Sequence, residues 1–291
     1  MSRQRALEHR LRTLRTLGEA IEALRALSAQ HFRSARARLP AARAYRDELD
    51  PLLAALGPAP ADRDRDGPAG IVLFAADLGL VGDYTARLLR EALELRRELG
   101  SGPLICVGGR AAAGLARADV RPHRTYPAPS SVAGLTGLLL PLVDEVLELH
   151  RLGALGALWL VAARFEGTGR FRPARVPLLP VVAPPGAPAL RISVYCDPER
   201  LRRAVVREAL YAALYETLLE ALASEHGKRL VTAESARSWL DERIQQTQRR
   251  VSEVRRETST QEILELVGGA RASRREKTSG RMGAWGWRRP D

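Results

Sequence analysis

The stretch Leu240–Gln261, which reads LDERIQQTQRRVSEVRRETSTQ, decides the fold that this sequence predicts. Apolar and small polar residues recur in it in alternating steps of four and three, which is the heptad spacing of a coiled coil. Threonine and glutamine weaken this seam, so it favours pairing with another helix of the same chain over a strong homodimer. The seam positions are Leu240, Ile244, Thr247, Val251, Val254, Thr258 and Gln261.

The helix that carries this seam is expected to be long. No proline occurs between Pro198 and Pro290, and Gly227 is the only glycine from Glu199 to Val267. Roughly seventy helical residues make a rod of about 100 Å, so much of it must project from a small domain. The expected partner is an N-terminal helix whose apolar stripe lets the two helices lie antiparallel as a coiled coil. That stripe consists of Leu7, Leu11, Leu14, Leu17, Ile21, Leu24 and Leu27.

The middle of the chain alternates short β-rich runs with amphipathic segments, which predicts a Rossmann-like α/β domain with parallel strand pairing. The N-terminal helix is expected to end at Gly57, before a linker rich in proline, aspartate and arginine. We expect strands at 71–75, 104–107, 157–163 and 192–196, an edge strand at 176–182, and helices at 84–99 and 130–149. The predicted domains are an N-terminal coiled-coil helix (1–57), the central α/β domain (58–197), a C-terminal coiled-coil helix (198–270) and a disordered basic tail (271–291).

Composition narrows the class of protein. The chain has 291 residues, 45% hydrophobic and 27% charged, as expected of a soluble cytoplasmic protein. Its net charge of +12 comes almost entirely from arginines that alternate with acidic residues, and aromatic residues are only 5%, which argues against nucleic-acid binding. No apolar run approaches the roughly 20 residues that span a bilayer. Cys106 and Cys196 have no disulfide or metal spacing.

We find no pattern that carries catalytic chemistry. Glycines at 79–82 and 108–109 follow predicted strands, but they lack the complete P-loop and dinucleotide fingerprints, so we interpret them as tight turns. The five histidines are scattered without metal-ligand spacing. We therefore predict no catalytic residue, no cofactor and no metal.

The C-terminal segment Thr258–Ala270 (TSTQEILELVGGA) resembles the C-terminal helix of the gamma subunit of F-type ATP synthases. That helix usually ends in Ile-Thr-x-Glu-Leu-x-Glu-Ile-Val-x-Gly-Ala. Three departures indicate a divergent branch, such as an alternate or Na⁺-type F-ATPase: Glu19–Leu24 replaces Lys-Ile-Thr-Lys-Ala-Met, Ala236–Trp239 replaces Ala-Thr-Asp-Asn, and a basic tail follows Ala270. Further similar segments are Leu7–Arg33, Ala41–Tyr45, Ala75–Gly82 and Ser224–His226 with Arg229.

This resemblance implies a rotor without an active site, which couples proton or sodium flux to ATP synthesis or hydrolysis. The implied partners are the alpha and beta subunits, the epsilon subunit and the membrane c-ring, with the chain peripheral on the cytoplasmic side of a bacterial plasma membrane. It implies no homo-oligomer, no nucleic-acid partner and no membrane insertion. The implied hexamer contacts are Leu24, Arg25, Arg255, Arg256, Thr260, Gln261 and Glu262, with Leu24 and Arg25 opposite the other five.

Two other classes of protein remain open at this point. One is a nucleotide- or NAD-binding α/β enzyme with helical extensions, for which the incomplete glycine pattern is the weakness. The other is a free-standing coiled-coil scaffold or chaperone. Arg255 and Arg256 also have an alternative interpretation, as solvated flanks of a coiled coil.

Overall fold

The computed structural model describes residues 2–56, 67–183, 186 and 197–282, with side chains up to 270. The chain divides into two compact units. The smaller unit combines residues 1–21 with 236–291, and the larger unit comprises residues 22–235. The described residues of the whole chain form five helices: α1 (Ser2–Leu56), α2 (Tyr84–Leu99), α3 (Gly109–Arg117), α4 (Val132–Arg151) and α5 (Pro198–Met282).

The larger unit contains one five-stranded sheet in the order β3-β2-β1-β4-β5. Neighbouring strands from β3 to β4 run parallel, and β5 is antiparallel to β4. The predicted Rossmann-like α/β class is therefore confirmed. The strands are β1 (Ala69–Phe74), β2 (Leu104–Val107), β3 (Arg124–Tyr126), β4 (Ala157–Gly167) and β5 (Arg170–Leu179).

Helices cover both faces of this sheet, and each face has its own apolar core. On one face, Val72, Phe74 and Leu160 pack with α4 and with the parts of α1 and α5 that belong to the larger unit. On the other face, Ile71 and Leu73 pack with α2 and α3. Central strands buried on both faces require nearly continuous apolar runs, which explains why β1 and β2 were recognisable from sequence.

The observed elements differ from the predicted ones mainly at the sheet edges. The three-residue strand β3 was not predicted, because Arg124–Tyr126 is too short to show an alternating pattern. The edge strand β5 starts at Arg170, before the predicted start at 176, and it contains Pro173. The predicted strand at 192–196 lies outside the described residues. Helix α5 continues to Met282, into the segment expected to be a disordered tail.

Candidate functional site

Within the smaller unit, α1 and α5 form an antiparallel pair, which we call the shaft. Arg237 Nη1 donates a hydrogen bond to the carbonyl oxygen of Gly18 at 3.2 Å. Further along, Arg255 Nη2 lies 3.6 Å from Glu8 Oε1. Residue numbers rise along one helix as they fall along the other, which confirms the predicted antiparallel coiled coil.

The seam of the shaft is thinly packed. Leu240 and Thr247 are buried on α5, while the other predicted seam positions up to Thr258 are half-buried and Gln261 is exposed. On α1, Leu11 is buried and Leu14 is half-buried, but Leu17 is 49% exposed. The prediction that Leu17 belongs to the stripe was wrong, as it was for Leu27 in the larger unit, which is 48% exposed.

The predicted contact residues fall in two separate places. Arg255, Arg256, Thr260, Gln261 and Glu262 are all exposed on α5. Thr260 Oγ1 donates a hydrogen bond to the carbonyl oxygen of Arg256, one turn earlier in the same helix, at 2.8 Å. Directly after them come exposed apolar side chains. We call residues 255–267 the tip; its exposed apolar members are Ile263 (60%), Leu264 (66%), Leu266 (75%) and Val267 (46%).

Leu24 and Arg25 belong to the larger unit. Arg25 Nη2 binds Glu22 Oε1 at 2.6 Å, and its Nη1 lies 3.6 Å from Glu234 Oε2 on α5. The residue that faces Arg255 across the shaft is Glu8. The heptad spacing predicts pairing, but many alignments of two repetitive helices satisfy it equally well.

The larger unit contains a buried polar cluster where α5 meets the sheet. We call Glu225, His226 and Arg229 the junction cluster. The Arg229 side chain is fully buried, and its Nη2 donates to Glu225 Oε1 at 2.6 Å. Arg229 also reaches the turn after β1, with Nε 3.1 Å from the carbonyl oxygen of Gly79 and Nη2 3.4 Å from that of Leu78. One arginine thus ties α5 to the carboxyl edge of the sheet.

His226 completes this cluster as a neutral side chain. Arg229 Nη1 lies 3.1 Å from His226 Nδ1, which must accept, so the proton sits on Nε2 and is donated to the carbonyl of Ser130 at 2.9 Å. Burial, with the neighbouring Arg229 charge, lowers the pKa of His226 to about 4. Burial raises the pKa of Glu225, against the opposing attraction of Arg229. The cluster therefore combines a neutral imidazole with one hydrogen-bonded Glu225–Arg229 ion pair.

The turn after β1 has a structural role that fits its glycines. Asp77 Oδ2 accepts from the Ala128 backbone N at 2.7 Å, and its Oδ1 accepts from the Gly109 backbone N. Gly82 has a φ of +56°, and a Cβ there would lie 3.0 Å from Lys228 Cε. This confirms that the 79–82 glycines shape a tight turn that α5 approaches closely.

The same packing argues against the nucleotide-enzyme alternative. In an open α/β sheet, ligands bind outside the carboxyl ends of the strands where the strand order reverses, which here is between β1 and β4. Helix α5 covers that position: Arg229 binds the turn after β1, and a Cβ at Gly169, in the β4–β5 turn, would lie 2.5 Å from Val231 Cγ2. A nucleotide would have to displace α5 to bind there.

The described residues contain no group of three or more His, Cys, Asp or Glu side chains placed to hold a metal ion. Burial raises the pKa of Cys106 to about 12, so this thiol is a poor nucleophile at neutral pH. Among the described helices, none has the length and apolar character needed to cross a bilayer.

Comparison with known proteins identifies a family with the same sequence pattern. The sequence profile of the ATP synthase family matches residues 3–272. The ATP synthase gamma chain of Moorella thermoacetica is 29% identical over 282 residues, which cover 94% of this chain and 99% of that one. The gamma chain of Saccharopolyspora erythraea is also 29% identical, with 94% and 98% covered.

Solved structures share the fold. A chain of the Euglena gracilis mitochondrial ATP synthase, in a structure of its OSCP, F1 and c-ring, matches with a TM-score of 0.63 at 15% identity; the match covers 100% of this chain and 99% of that one. A chain from the central stalk and c-ring of the Tetrahymena thermophila enzyme matches with a TM-score of 0.55 at 17% identity, covering 75% and 99%.

Proposed function

The chain belongs to the ATP synthase family, and we propose that it is the gamma chain of an F-type ATP synthase, the rotor of the central stalk. The observation that carries this proposal is the match to gamma chains along almost the whole of both sequences. A paired-helix shaft in the smaller unit and a helix-covered α/β sheet in the larger unit support a mechanical role. In this role the protein couples transmembrane proton or sodium flux to ATP synthesis or hydrolysis by turning.

The proposed partners are the alpha and beta subunits around the shaft, and the epsilon subunit and membrane c-ring at the α/β domain. The tip supports the first of these assignments. Ile263, Leu264 and Leu266 are each at least 60% exposed on α5. A run of exposed apolar side chains marks a surface that another protein covers. We assign Arg255, Arg256, Thr260, Gln261 and Glu262 to the same contact.

Leu24 and Arg25 form a second proposed contact, on the larger unit. Arg25 is already bound to Glu22 and Glu234, but its side chain remains 43% exposed. A partner loop that offers a carboxylate there would compete with these two glutamates. The contact is therefore expected to be weaker than the one at the tip.

Torque transmission needs a firm connection between the α/β domain and the helices, and the junction cluster supplies one. Arg229 bridges α5 and the turn after β1 with charge-assisted hydrogen bonds inside the core. Elsewhere in the larger unit, α1 and α5 are joined by Arg43, which lies 3.1 Å from Glu216, and by Arg46, which lies 2.5 Å from the same carboxylate. Rotation of the α/β domain would be passed to both helices through these contacts.

Localisation follows from the proposed partners. Attachment to a membrane c-ring would hold the protein peripherally on the cytoplasmic side of a bacterial plasma membrane. The described helices carry no segment that could cross that membrane by itself. The chain is thus expected in the membrane fraction together with its partners.

Purification of the tagged full-length chain from its native host, in mild detergent, tests this function. Alpha and beta subunits should be recovered in equal amounts and in excess over this chain, and the complex should hydrolyse ATP. Recovery of a homodimer without them would contradict the rotor and support a free-standing scaffold. Nucleotide bound to the isolated chain would support the α/β enzyme instead.

A further inference from the structure

Three of the six tyrosines of the chain lie together in the larger unit, on neighbouring helices. Tyr211 and Tyr215 are one turn apart on α5, and their rings stack with centroids 6.2 Å apart. Tyr45 of α1 is 44% exposed, and its hydroxyl donates to Glu208 Oε1 of α5 at 2.7 Å. We call Tyr45, Glu208, Tyr211 and Tyr215 the tyrosine patch.

Contacts with α4 hold one side of this patch in place. A hydrogen bond joins the side chains of Tyr211 and Thr136. Arg207 Nη2 lies 2.8 Å from Asp144 Oδ1, so this arginine is paired with α4. Leu140, one turn from both of these α4 residues, is 49% exposed. Tyr211 is therefore oriented before any partner binds, which lowers the entropy cost of binding.

The charges that act on the patch are negative, although the chain has a net charge of +12. The hydrogen bond to Glu208, partial burial and the carboxylates of Glu208 and Glu48 raise the pKa of Tyr45. Burial, with Tyr215 and the Glu208 carboxylate, raises the pKa of Tyr211. The phenols therefore lie in a local field opposite in sign to the overall charge.

The ring faces of the patch have no cation from this chain. Elsewhere the chain supplies its own: the Arg36 guanidinium lies 4.5 Å from the centre of the Phe165 ring, and that of Arg87 lies 4.4 Å from Phe171. Within the described ranges, no arginine that lies over an aromatic ring uses a ring of the patch. The stacked rings can therefore receive a cation from outside.

Aromatic rings beside a carboxylate suit an arginine or lysine side chain. The face of a ring attracts a cation within about 6 Å of its centre. Tyr45 takes only one of the roughly four acceptor sites of the Glu208 carboxylate, so a charge-assisted hydrogen bond can still form there. The patch extends about 10 Å along α5, from Glu208 to Tyr215. That length fits a protein segment better than a single small cation, and tyrosine is enriched at protein interfaces.

We propose that the tyrosine patch is a docking surface for a basic segment of another protein, with an arginine or lysine placed on the Tyr211–Tyr215 rings and bonded to Glu208. This docking rests on the proposed function in one respect, that other subunits cover the α/β domain. It adds the chemistry of one such contact. Opposite charges on the two surfaces would favour this partner over an acidic one.

Site-specific photo-crosslinking in the native host tests the contact. The tagged full-length chain carries Tyr215→p-benzoylphenylalanine, cells are irradiated, and the crosslinked peptides are identified by mass spectrometry. The expected product joins position 215 to an arginine- or lysine-containing segment of another protein. Crosslinks confined to this chain, including its own basic residues 271–291 or a second copy, would overturn the proposal. So would a product with a segment that lacks basic residues, or no product at all.

Matched variants test the proposed chemistry by recovery of the crosslinked partner with the tagged chain. Tyr215→Leu and Glu208→Lys should each lower the recovery about tenfold, whereas Tyr215→Phe keeps the ring and should keep the recovery. Glu94→Lys, on α2 at the other face of the sheet, is the charge-reversal control and should bind as the parent does. Thermal unfolding of the isolated variants should stay at the parent value.

Recovery of the alpha and beta subunits distinguishes this proposal from the proposed function. A parent chain without alpha and beta would contradict the rotor, yet a basic partner lost in Glu208→Lys would still support the patch. If Tyr215→Leu fails to fold, a charge swap replaces it: glutamate at the crosslinked basic residue of the partner should restore binding to Glu208→Lys. Parent-like recovery in Glu208→Lys and Tyr215→Leu, or no restoration by the swap, would overturn the proposal.

Discussion

The junction cluster and the shaft use the same helix, α5, yet they bury opposite kinds of side chain. In the junction cluster, Arg229 and Glu225 are buried as a hydrogen-bonded ion pair among apolar neighbours of the larger unit. In the shaft, buried leucines are few and charged side chains remain exposed. A buried charge must keep its partner, because leaving it unpaired strongly destabilises the fold. The shaft has few buried contacts, so substitutions in its seam should change stability less.

The largest effect is expected from breaking the junction cluster. Arg229→Met removes one partner of the buried pair and leaves Glu225 uncompensated, which should lower the free energy of unfolding by about 3–5 kcal/mol. Chemical denaturation of the isolated full-length chain measures this change. Arg25→Met is the matched control, because Arg25 pairs with Glu22 at 43% exposure, and it should leave the free energy of unfolding close to the parent value. Equal effects of the two variants would remove the contrast.

The pH dependence of stability sharpens the same contrast. The folded pKa of His226, about 4, lies below the ordinary value of 6.5, so the folded state resists protonation. Stability is therefore fully present above pH 6.5 and falls as the pH drops toward 4, by up to about 3 kcal/mol. The raised pKa of Glu225 acts in the opposite direction at the acidic end, because the folded state then takes up a proton more readily.

The His226→Gln variant isolates this contribution. Its stability, measured by denaturation between pH 7 and 5, should change less than that of the parent chain, because the amide does not titrate. The groups facing His226 are Arg229, which keeps its charge in this range, and His31, whose ring centroid lies 5.1 Å away. A His31→Gln control should leave most of the parent slope. Identical slopes in parent and His226→Gln chains would show that the buried imidazole is not the source.

Substitutions at the tip should weaken association with the alpha and beta subunits without changing the folding of the chain. Leu264→Asp together with Leu266→Asp places charges on side chains that are 66% and 75% exposed, so helix content and thermal unfolding should stay at parent values. If alpha and beta subunits cover this surface, their recovery with the tagged chain should fall at least tenfold, which corresponds to about 1.4 kcal/mol. Leu152→Asp, at a leucine of the larger unit that is 63% exposed, serves as the control and should leave the recovery unchanged. Undiminished recovery would exclude the tip from the contact.

The smallest effect is expected in the shaft seam. Thr247 is buried at a seam position, and Thr247→Val replaces its hydroxyl by a methyl group. The variant should stabilise the pair by about 1 kcal/mol, since an apolar side chain suits a coiled-coil seam better. Hydrogen exchange of the shaft amides, which reports local opening, checks this more directly than global unfolding. Faster exchange in the variant would mean that the hydroxyl has a favourable partner.

Patterns along the chain were sufficient to predict much of this molecule. Strands β1 and β2 were recognisable because they are continuous apolar runs, and α2 was predicted with its observed ends, Tyr84 and Leu99. The heptad positions of α5 from Leu240 to Thr258 were correctly expected to face a partner. The short strand β3 and the early start of β5 were missed, since edge strands are too short or too polar to show a clear period.

The sequence predicted the candidate site only in part, and the reason is physical. The exposure of Arg255, Arg256, Thr260, Gln261 and Glu262 followed from their positions off or beyond the seam, but the partner of Arg255 on α1 did not follow. Repetitive helices can pair in many alignments, and the spacing did not single out Glu8, which lies 3.6 Å from Arg255. Arg229 was noted only as part of a family resemblance. Nothing in the sequence alone marks it as the buried link to Leu78 and Gly79, which lie far away along the chain.

The sequence by itself determined that the chain begins and ends with a long helix and carries an α/β domain between them in the sequence. Periodicity and the spacing of prolines and glycines are local properties of the chain, so they can be recognised without the structure. Only the tertiary structure decided where α1 and α5 are aligned, which carbonyl oxygen Arg237 reaches, and how α5 closes the edge of the sheet. Those features depend on contacts between residues more than a hundred positions apart. Their energies come from exact distances and burial, and no local pattern encodes either.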